Sequence, residues 1–450
     1  MSTTEMAMPT SPSAVPPVLR NSESNPSVAP SEIAVGVVIG RSSEYFDFFV
    51  YGIASVLVFP AAFFPYLSPL EGQLMSFALV ALAFCVRPIG TLAGMEIQRR
   101  WGRGAKLTVA LMMLGTSTVG IGILPVHTEA TPWAGLLLAL LRIGQGLALG
   151  GSWDGLPSLL ALNAPRHKRG WYAMLGQLGA PLGLLVAAGL YAYLWFTISP
   201  EEFITWGWRY PFFAAFAINV VALFARLRLV VTHEYDRELQ ARELEPCKPA
   251  ELLREQGSNL LLGAFAPLAS YALFHLVTFF PLSWILLEGG RPIGPLLVVE
   301  VIAALLCAAA MPISGWLSDR YSRLRLLGSL SIAIGVWSLA APFLLERSIA
   351  GQNVFILSGA ILLGLSYAQA AGPLTSNFLP RFRYTGAALS TDLAWLFGAA
   401  FAPLVVLWLS ERFGLVSVTF YLLSGVVVTM LTLLFNRARR RAATSAAGKH

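Results

Sequence analysis

Ionisable side chains recur inside the long apolar stretches of this chain. Arg41, Glu44 and Asp47 share the first stretch, Arg87 lies in the second, Arg142 in the fourth and Asp392 in the eleventh. His275 and Glu300 add two more. A charged side chain at the centre of a bilayer costs roughly 2.5–3.5 kcal/mol on insertion scales, so five left unpaired would cost about 10–15 kcal/mol. They must therefore pair with one another or face a wet cavity. Arg41 and Glu44 are three residues apart, as are Glu44 and Asp47, so Glu44 neighbours both on one helical face. An Arg41–Glu44 ion pair leaves Asp47 as the more available carboxylate. A buried carboxylate near an arginine can take up and release a proton as its surroundings change. The guanidinium groups of Arg41, Arg87 and Arg142 offer the other chemistry, bidentate capture of a carboxylate. The structural alternative is a purely scaffolding cluster of charges.

These residues are positioned by about twelve apolar stretches, each roughly 18–28 residues long and each long enough to cross a bilayer as a helix. They fall near 33–58, 73–96, 104–125, 132–155, 170–196, 208–230, 259–287, 294–316, 324–345, 353–377, 384–409 and 416–436. Hydrocarbon offers the backbone no hydrogen-bond partner, so the expectation is an all-α membrane protein. The composition agrees: 56% of residues are hydrophobic and 12% charged, against about 25% charged in a soluble domain. Basic residues gather in alternate loops, among them Arg99, Arg100, Arg103 and Lys106 after the second stretch and Arg437, Arg439, Arg440 and Arg441 after the last. The opposite loops hold only Arg291, Arg347 and Arg412. This positive-inside bias places both termini in the cytoplasm, and it accounts for the high pI without nucleic acid as a partner.

The chain divides as a cytoplasmic tail over 1–31, an N-terminal bundle over 32–230, a central cytoplasmic loop over 231–257, a C-terminal bundle over 258–436 and a basic cytoplasmic tail over 437–450. The first tail is Ser- and Pro-rich and reads as disordered, without the n- and h-regions of a signal peptide. The two bundles echo each other: Gly102-Arg103 and Ser322-Arg323 close equivalent loops, and Arg169-Gly170 and Arg383-Tyr384-Thr385-Gly386 open equivalent helices. Parallel six-helix repeats with a site at their interface are an architecture of secondary transporters. Cys85, Cys247 and Cys307 are scattered and suggest neither a disulfide framework nor a metal site. With no nucleotide-binding Gly loop and no catalytic triad spacing, neither an ATP-driven pump nor an enzyme is expected, and no cofactor is implied.

Several motifs carry a family resemblance. Gly315-Trp316-Leu317-Ser318-Asp319-Arg320-Tyr321-Ser322-Arg323 resembles the signature loop G-x-L-x-D-R-x-G-R of the major facilitator superfamily. Arg142-Ile143-Gly144-Gln145-Gly146 resembles its R-x-x-Q-G motif. Glu44 to Gly52, Arg87-Pro88-Ile89-Gly90, Gln177 to Gly183 and Trp206 to Phe212 are similar to motifs of the metabolite:proton symporter family within it. The matches run from about 36 to 410. The resemblance implies twelve transmembrane helices in two six-helix bundles and proton-coupled uptake of a small organic acid or zwitterion by alternating access, as a monomer in the inner membrane. The buried charges and the matched motifs together single out Glu44, Asp47 and Asp392 for coupling, Arg41, Arg87, Arg142, Gln145 and Gln177 for substrate, and Asp319, Arg320 and Arg323 for the gating loop.

The departures from the pattern fall on the coupling machinery. Arg99 stands where the N-half loop normally has its acid, so the usual ion-pair latch is not expected there. Ser152 replaces the glutamate of helix four, and Asp154, two residues on, faces about 200° away. Arg41 stands where a small polar residue is usual, Asp392 replaces an amide, and Ser376 stands where a glutamate precedes helix eleven. His275 reads as a satisfied polar residue, Glu300 as close enough to the outer face to reach water, and Asp154 as a cap or loop partner near the cytoplasmic end. Two other readings remain open, proton-driven efflux, which the Gly179-Ala180-Pro181-Leu182-Gly183 element loosely favours, and a non-transporting sensor with a transporter fold.

Overall fold

The computed structural model describes residues 30–129, 131–153, 164–230, 245–288 and 291–447. Asp154, most of the N-terminal tail and most of the central loop lie outside the described residues. Among those described, the regular structure is helical throughout. Nine helices among the described residues are long and apolar enough to cross a membrane on length and composition alone. One of them, Pro69–Ile123, is two crossings that meet at Gly102, whose φ of 81° turns the chain where a Cβ would be strained. Pro30–Leu57 and the pair Arg323–Ser338 and Ala341–Arg347 supply two more. The result is twelve crossings: α1 Pro30–Leu57, α2 69–101, α3 103–123, α4 Ala134–Gly151, α5 Arg169–Thr197, α6 Tyr210–Val230, α7 Pro249–Leu287, α8 Ile293–Arg320, α9 323–347, α10 Ile349–Tyr367, α11 383–413 and α12 Val416–Ala447.

Several helix ends lie beyond the apolar stretches. α7 begins at Pro249, ahead of the apolar run that starts near 259, and α12 continues through the basic tail to Ala447. A helix need not stop where the membrane does, because water and capping groups can satisfy its ends. At the end opposite the basic loops, local chemistry sets the starts. Ser68 and Glu71 form a capping box ahead of α2, with Pro69 at the first helical position, and Ser348 accepts from the Gly351 N–H at the start of α10.

Packing within each six-helix set relies on small residues. α2 lies against α4 so closely that a Cβ on Gly150 would sit 2.1 Å from the Arg87 carbonyl oxygen and one on Gly90 2.1 Å from that of Leu147. This is the close backbone approach that small residues permit where no hydrophobic force drives helices together. α5 packs on α1, α9 on α12, and α7 on both α10 and α12. Between the sets, α5 meets α8 and α2 meets α11. One continuous apolar core runs through both sets. At its centre Tyr45, Phe48, Phe84, Tyr271, Phe274, Tyr367 and Trp395 pack ring against ring. α11 carries a π-helical segment, Trp395–Ala400, beginning at the tryptophan that closes this cluster. Such segments are frequently found at functional sites.

Candidate functional site

The intramembrane charges form two clusters. The first lies where the two sets meet and surrounds a cavity of about 30 Å³ lined by Arg41, Glu44, Tyr45, Phe48, Phe84, Arg87, Leu149 and Trp395. The i, i+3 spacing of α1 brings Arg41 Nη1 to 2.7 Å from Glu44 Oε2. The other Glu44 oxygen accepts from Ser152 Oγ at 3.1 Å, so the residue that replaces the helix-four glutamate is a donor to this carboxylate. Arg87 Nε lies 2.9 Å from Asp392 Oδ1 on α11. Thr91, one turn beyond Arg87, donates to Asp392 Oδ2. Tyr45 and Tyr367 bring their hydroxyls together across the same interface. The Trp395 ring stacks on Phe84 with centroids 5.1 Å apart. The cavity has room for no more than a water or two, whereas small-molecule sites run to hundreds of Å³. Aromatic side chains occupy the centre of this interface.

The second cluster lies inside the N-terminal set. Asp47 is buried and accepts from Thr118 Oγ1 at 2.7 and 2.9 Å, Asn219 Nδ2 at 2.9 Å and Gln145 Nε2 at 3.3 Å. The expectation that Asp47 is the more available carboxylate is therefore corrected: neutral donors from α3, α4 and α6 cover it. Arg142 donates to Gln145 Oε1 at 2.9 Å and to the Leu79 carbonyl, and its guanidinium lies 3.8 Å from the centre of the Tyr51 ring. Arg142 and Gln145 thus belong to the Asp47 network and do not line the Arg41–Arg87 cavity. Gln177 is buried at the break within α5, where its N–H donates to the Met174 carbonyl.

Two further residues depart from expectation. Glu300 is 1% exposed, and neither carboxylate oxygen has a hydrogen-bond partner among the described residues, so it does not reach water. Its place on α8 faces packed helices, which position along the apolar stretch did not reveal. His275 is fully buried and stacks on Phe48. Neither of its ring nitrogens makes a well-formed hydrogen bond among the described residues, so it is an aromatic packing residue more than a satisfied polar one.

Contacts between the sets gather at the basic-loop end. Asp319, at the end of α8, accepts from the backbone N–H of Gly170 at 2.6 Å and of Trp171 at 3.1 Å, at the start of α5. A carboxylate is well placed there, since the first N–H groups of a helix have no partner within it. Arg323 donates to the Gln369 and Ala371 carbonyls just beyond α10, and Arg320 lies over the Trp316 ring. In the N-terminal set, Arg99 pairs locally with Glu96, which also takes Arg100. Lys106 makes the long-range contact instead. Its buried ammonium donates to Gln98 Oε1, the Trp153 carbonyl and the Tyr384 hydroxyl of α11, all within 2.7–2.8 Å. Tyr384 in turn donates to Gln98 Oε1 at 2.8 Å.

Sequence reasoning missed Thr91, Thr118, Asn219 and Lys106. The first three are single neutral residues whose importance depends on distant partners, and Lys106 reads as one more loop cation. The isolated amide of Asn219 in an apolar stretch was the one available signal.

The sequence pattern of the Major Facilitator Superfamily matches residues 48–391. The inner membrane metabolite transport protein YhjE of Escherichia coli K12 is 34% identical over 416 residues, covering 91% of this chain and 94% of that protein. The Escherichia coli K12 shikimate transporter is 31% identical over 423 residues, covering 91% and 95%. The Salmonella typhimurium proline/betaine transporter is 26% identical, covering 88% and 81%. Among solved structures, the proton:xylose symporter XylE superposes with a TM-score of 0.69 at 19% identity, covering 90% of this chain and 95% of that one, a likeness of fold. The chain belongs to the major facilitator superfamily and is an integral inner-membrane secondary active transporter, not an enzyme.

Proposed function

We propose that the transported molecule is a small carboxylate or zwitterion taken up with a proton, and that Asp392 and Arg87 are the pair through which the two are coupled. The observation that carries this reading is the Arg87–Asp392 contact beside the central cavity, between helices of different sets. While Asp392 is ionised, it occupies the guanidinium that a substrate carboxylate needs. A proton on Asp392 frees Arg87, and the substrate carboxylate then takes its place by charge-assisted hydrogen bonds. Moving the pair apart also parts α2 from α11, so proton and substrate together permit the change of access. The sets 32–230 and 258–436 are the moving bodies, and the working unit is one chain. Tyr45, Phe48, Phe84 and Trp395 would pack the remainder of the substrate, with cation–π contact available to a quaternary ammonium. Shikimate, proline and betaine, the molecules in the names of related transporters, each carry a carboxylate.

Asp47 is assigned a structural part in this scheme, together with Arg142 and Gln145. Glu44 and Arg41 remain beside the cavity as a second pair that substrate could exchange with. The test is uptake into proteoliposomes of a radiolabelled panel of carboxylates and zwitterions, with and without an inward proton gradient. Accumulation of one class above equilibrium only with the gradient supports the reading. Uptake of amines or sugars but of no carboxylate overturns the substrate class. Accumulation only against an outward-directed assay, with substrate leaving as protons enter, makes the protein an exporter.

A further inference from the structure

Away from the central site, α9 and α12 enclose a groove of about 850 Å³ at the end that carries the basic loops. Its inner wall is apolar, made by Ile332, Met430, Leu433 and Leu434, and both Ile332 and Leu434 are more than half exposed. Its rim is basic, made by Arg325 at the start of α9 and by Arg437, Arg440 and Arg441 on the extension of α12. Among the described residues, no Asp or Glu lines it. Two neighbouring arginines are used within the protein. Arg440 donates to Asn377 Oδ1, and Arg439 to Ser258 Oγ and Asn259 Oδ1. These contacts hold the extension of α12 against α7 and against the segment that precedes α11. Arg325, Arg437 and Arg441 make no ion pair or hydrogen bond among the described residues.

We propose that this groove binds one anionic phospholipid of the cytoplasmic leaflet, its phosphate held by Arg325, Arg437 and Arg441 and an acyl chain laid along Ile332 and Leu434. The charge is complementary, with three cations that no described residue pairs with facing a leaflet rich in phosphodiesters. The depth is complementary too. From Leu434 to Arg441 the helix rises about 10 Å, which separates the acyl region from the headgroup as the wall is separated from the rim. A soluble anion would use the rim but have no need of the wall. The groove would tie α9 to α12 at their cytoplasmic ends, well away from the surfaces where the two sets meet.

The test uses the full-length protein in detergent, titrated by native mass spectrometry with phosphatidylglycerol and, separately, phosphatidylcholine of the same chains. One tightly held phosphatidylglycerol, with about tenfold preference over phosphatidylcholine, is expected. Arg325→Gln combined with Arg441→Gln removes most of that preference, and both side chains are exposed, so folding is preserved. Ser329→Trp fills the groove without touching the charges and lowers occupancy by either lipid. Millimolar inorganic phosphate leaves the bound lipid in place. Equal binding of the two lipids, an unchanged preference in the double variant, or displacement by inorganic phosphate overturns the proposal. If Ser329→Trp fails to fold, the double variant still decides.

Discussion

Arg87 on α2 and Asp392 on α11 belong to different six-helix sets, yet their side chains meet at 2.9 Å with both nearly excluded from solvent. Separating the sets at this end must break the contact. Removing one partner of a buried ion pair costs about 3–5 kcal/mol, because the other is left uncompensated. A proton on Asp392 removes the charge without removing the side chain and leaves Thr91 Oγ1 a partner. Asp392→Asn imitates that state permanently. Gradient-driven accumulation should fall to the equilibrium level while counterflow exchange of the same substrate continues within a few-fold of wild type. Paired accumulation and counterflow in one set of liposomes measures this. Wild-type accumulation by Asp392→Asn would remove Asp392 from the coupling.

The second prediction concerns the contact of Asp319 with the start of α5. Gly170 is where the carboxylate reaches the backbone, and a Cβ there would lie 2.5 Å from the Ser318 side chain and 2.9 Å from Asp319 Oδ1. Gly170→Ala should therefore push the loop off without altering any charge, and Asp319→Asn should weaken the same contact by removing the charge. Both variants are expected to lower the transport rate at least several-fold while keeping most of the folded protein. Initial rates normalised to protein recovered by size-exclusion chromatography supply the comparison. Wild-type rates in both would mean that this contact does not take part in the change of access.

Much of this arrangement was legible beforehand, and what was not follows a pattern. The crossings could be read because an apolar run of bilayer length has few alternatives in hydrocarbon. The Arg41–Glu44 pair could be read because three residues along a helix set a fixed separation. The pairing of Arg87 with Asp392 could not, since nothing in either helix specifies which face meets the other set. Lys106 is the clearest case. Its place in a basic loop suggests a solvated cation, whereas Trp153, Gln98 and Tyr384 surround its ammonium with three acceptors. The loss of an acid at Arg99 was visible, but its replacement by a neutral acceptor set one position earlier and on a distant helix was not.

Glu300 carries the third prediction. It is buried in α8 with both oxygens unpartnered among the described residues. An unsatisfied buried carboxyl group is a cost to the fold whether ionised or protonated. Glu300→Leu, of similar size and without polar atoms, should raise the melting temperature of the purified protein by a few degrees. Substrate accumulation should be unchanged, since coupling is assigned to Asp392. A differential scanning fluorescence measurement beside the uptake assay checks both parts. Loss of accumulation with raised stability would identify Glu300 as a second proton carrier, and lowered stability would show that it has a partner in the membrane-embedded protein.

Asp47 separates the two clusters most sharply. Its Oδ1 accepts from Thr118 and Gln145, and its Oδ2 from Thr118 and Asn219. Every group facing it is a donor in this arrangement. Asp47→Asn replaces one accepting oxygen with an NH₂ group, which meets either the Thr118 hydroxyl with the Asn219 amide or the same hydroxyl with the Gln145 amide. Reorienting Gln145 to accept would take its Oε1 from Arg142, which holds it at 2.9 Å. Turning the Asn219 amide would present its Oδ1, which has no partner among the described residues, but would take its Nδ2 off the acceptor it now has, so a buried donor loses its partner either way, at a cost of about 1–3 kcal/mol. Asp47→Asn should lower the melting temperature, and accumulation and counterflow should fall together, in proportion to the folded protein recovered. A group that carries the coupling proton would instead lose accumulation while keeping counterflow. That split in Asp47→Asn, with unchanged stability, would move the coupling site from the interface between the sets into the interior of the first.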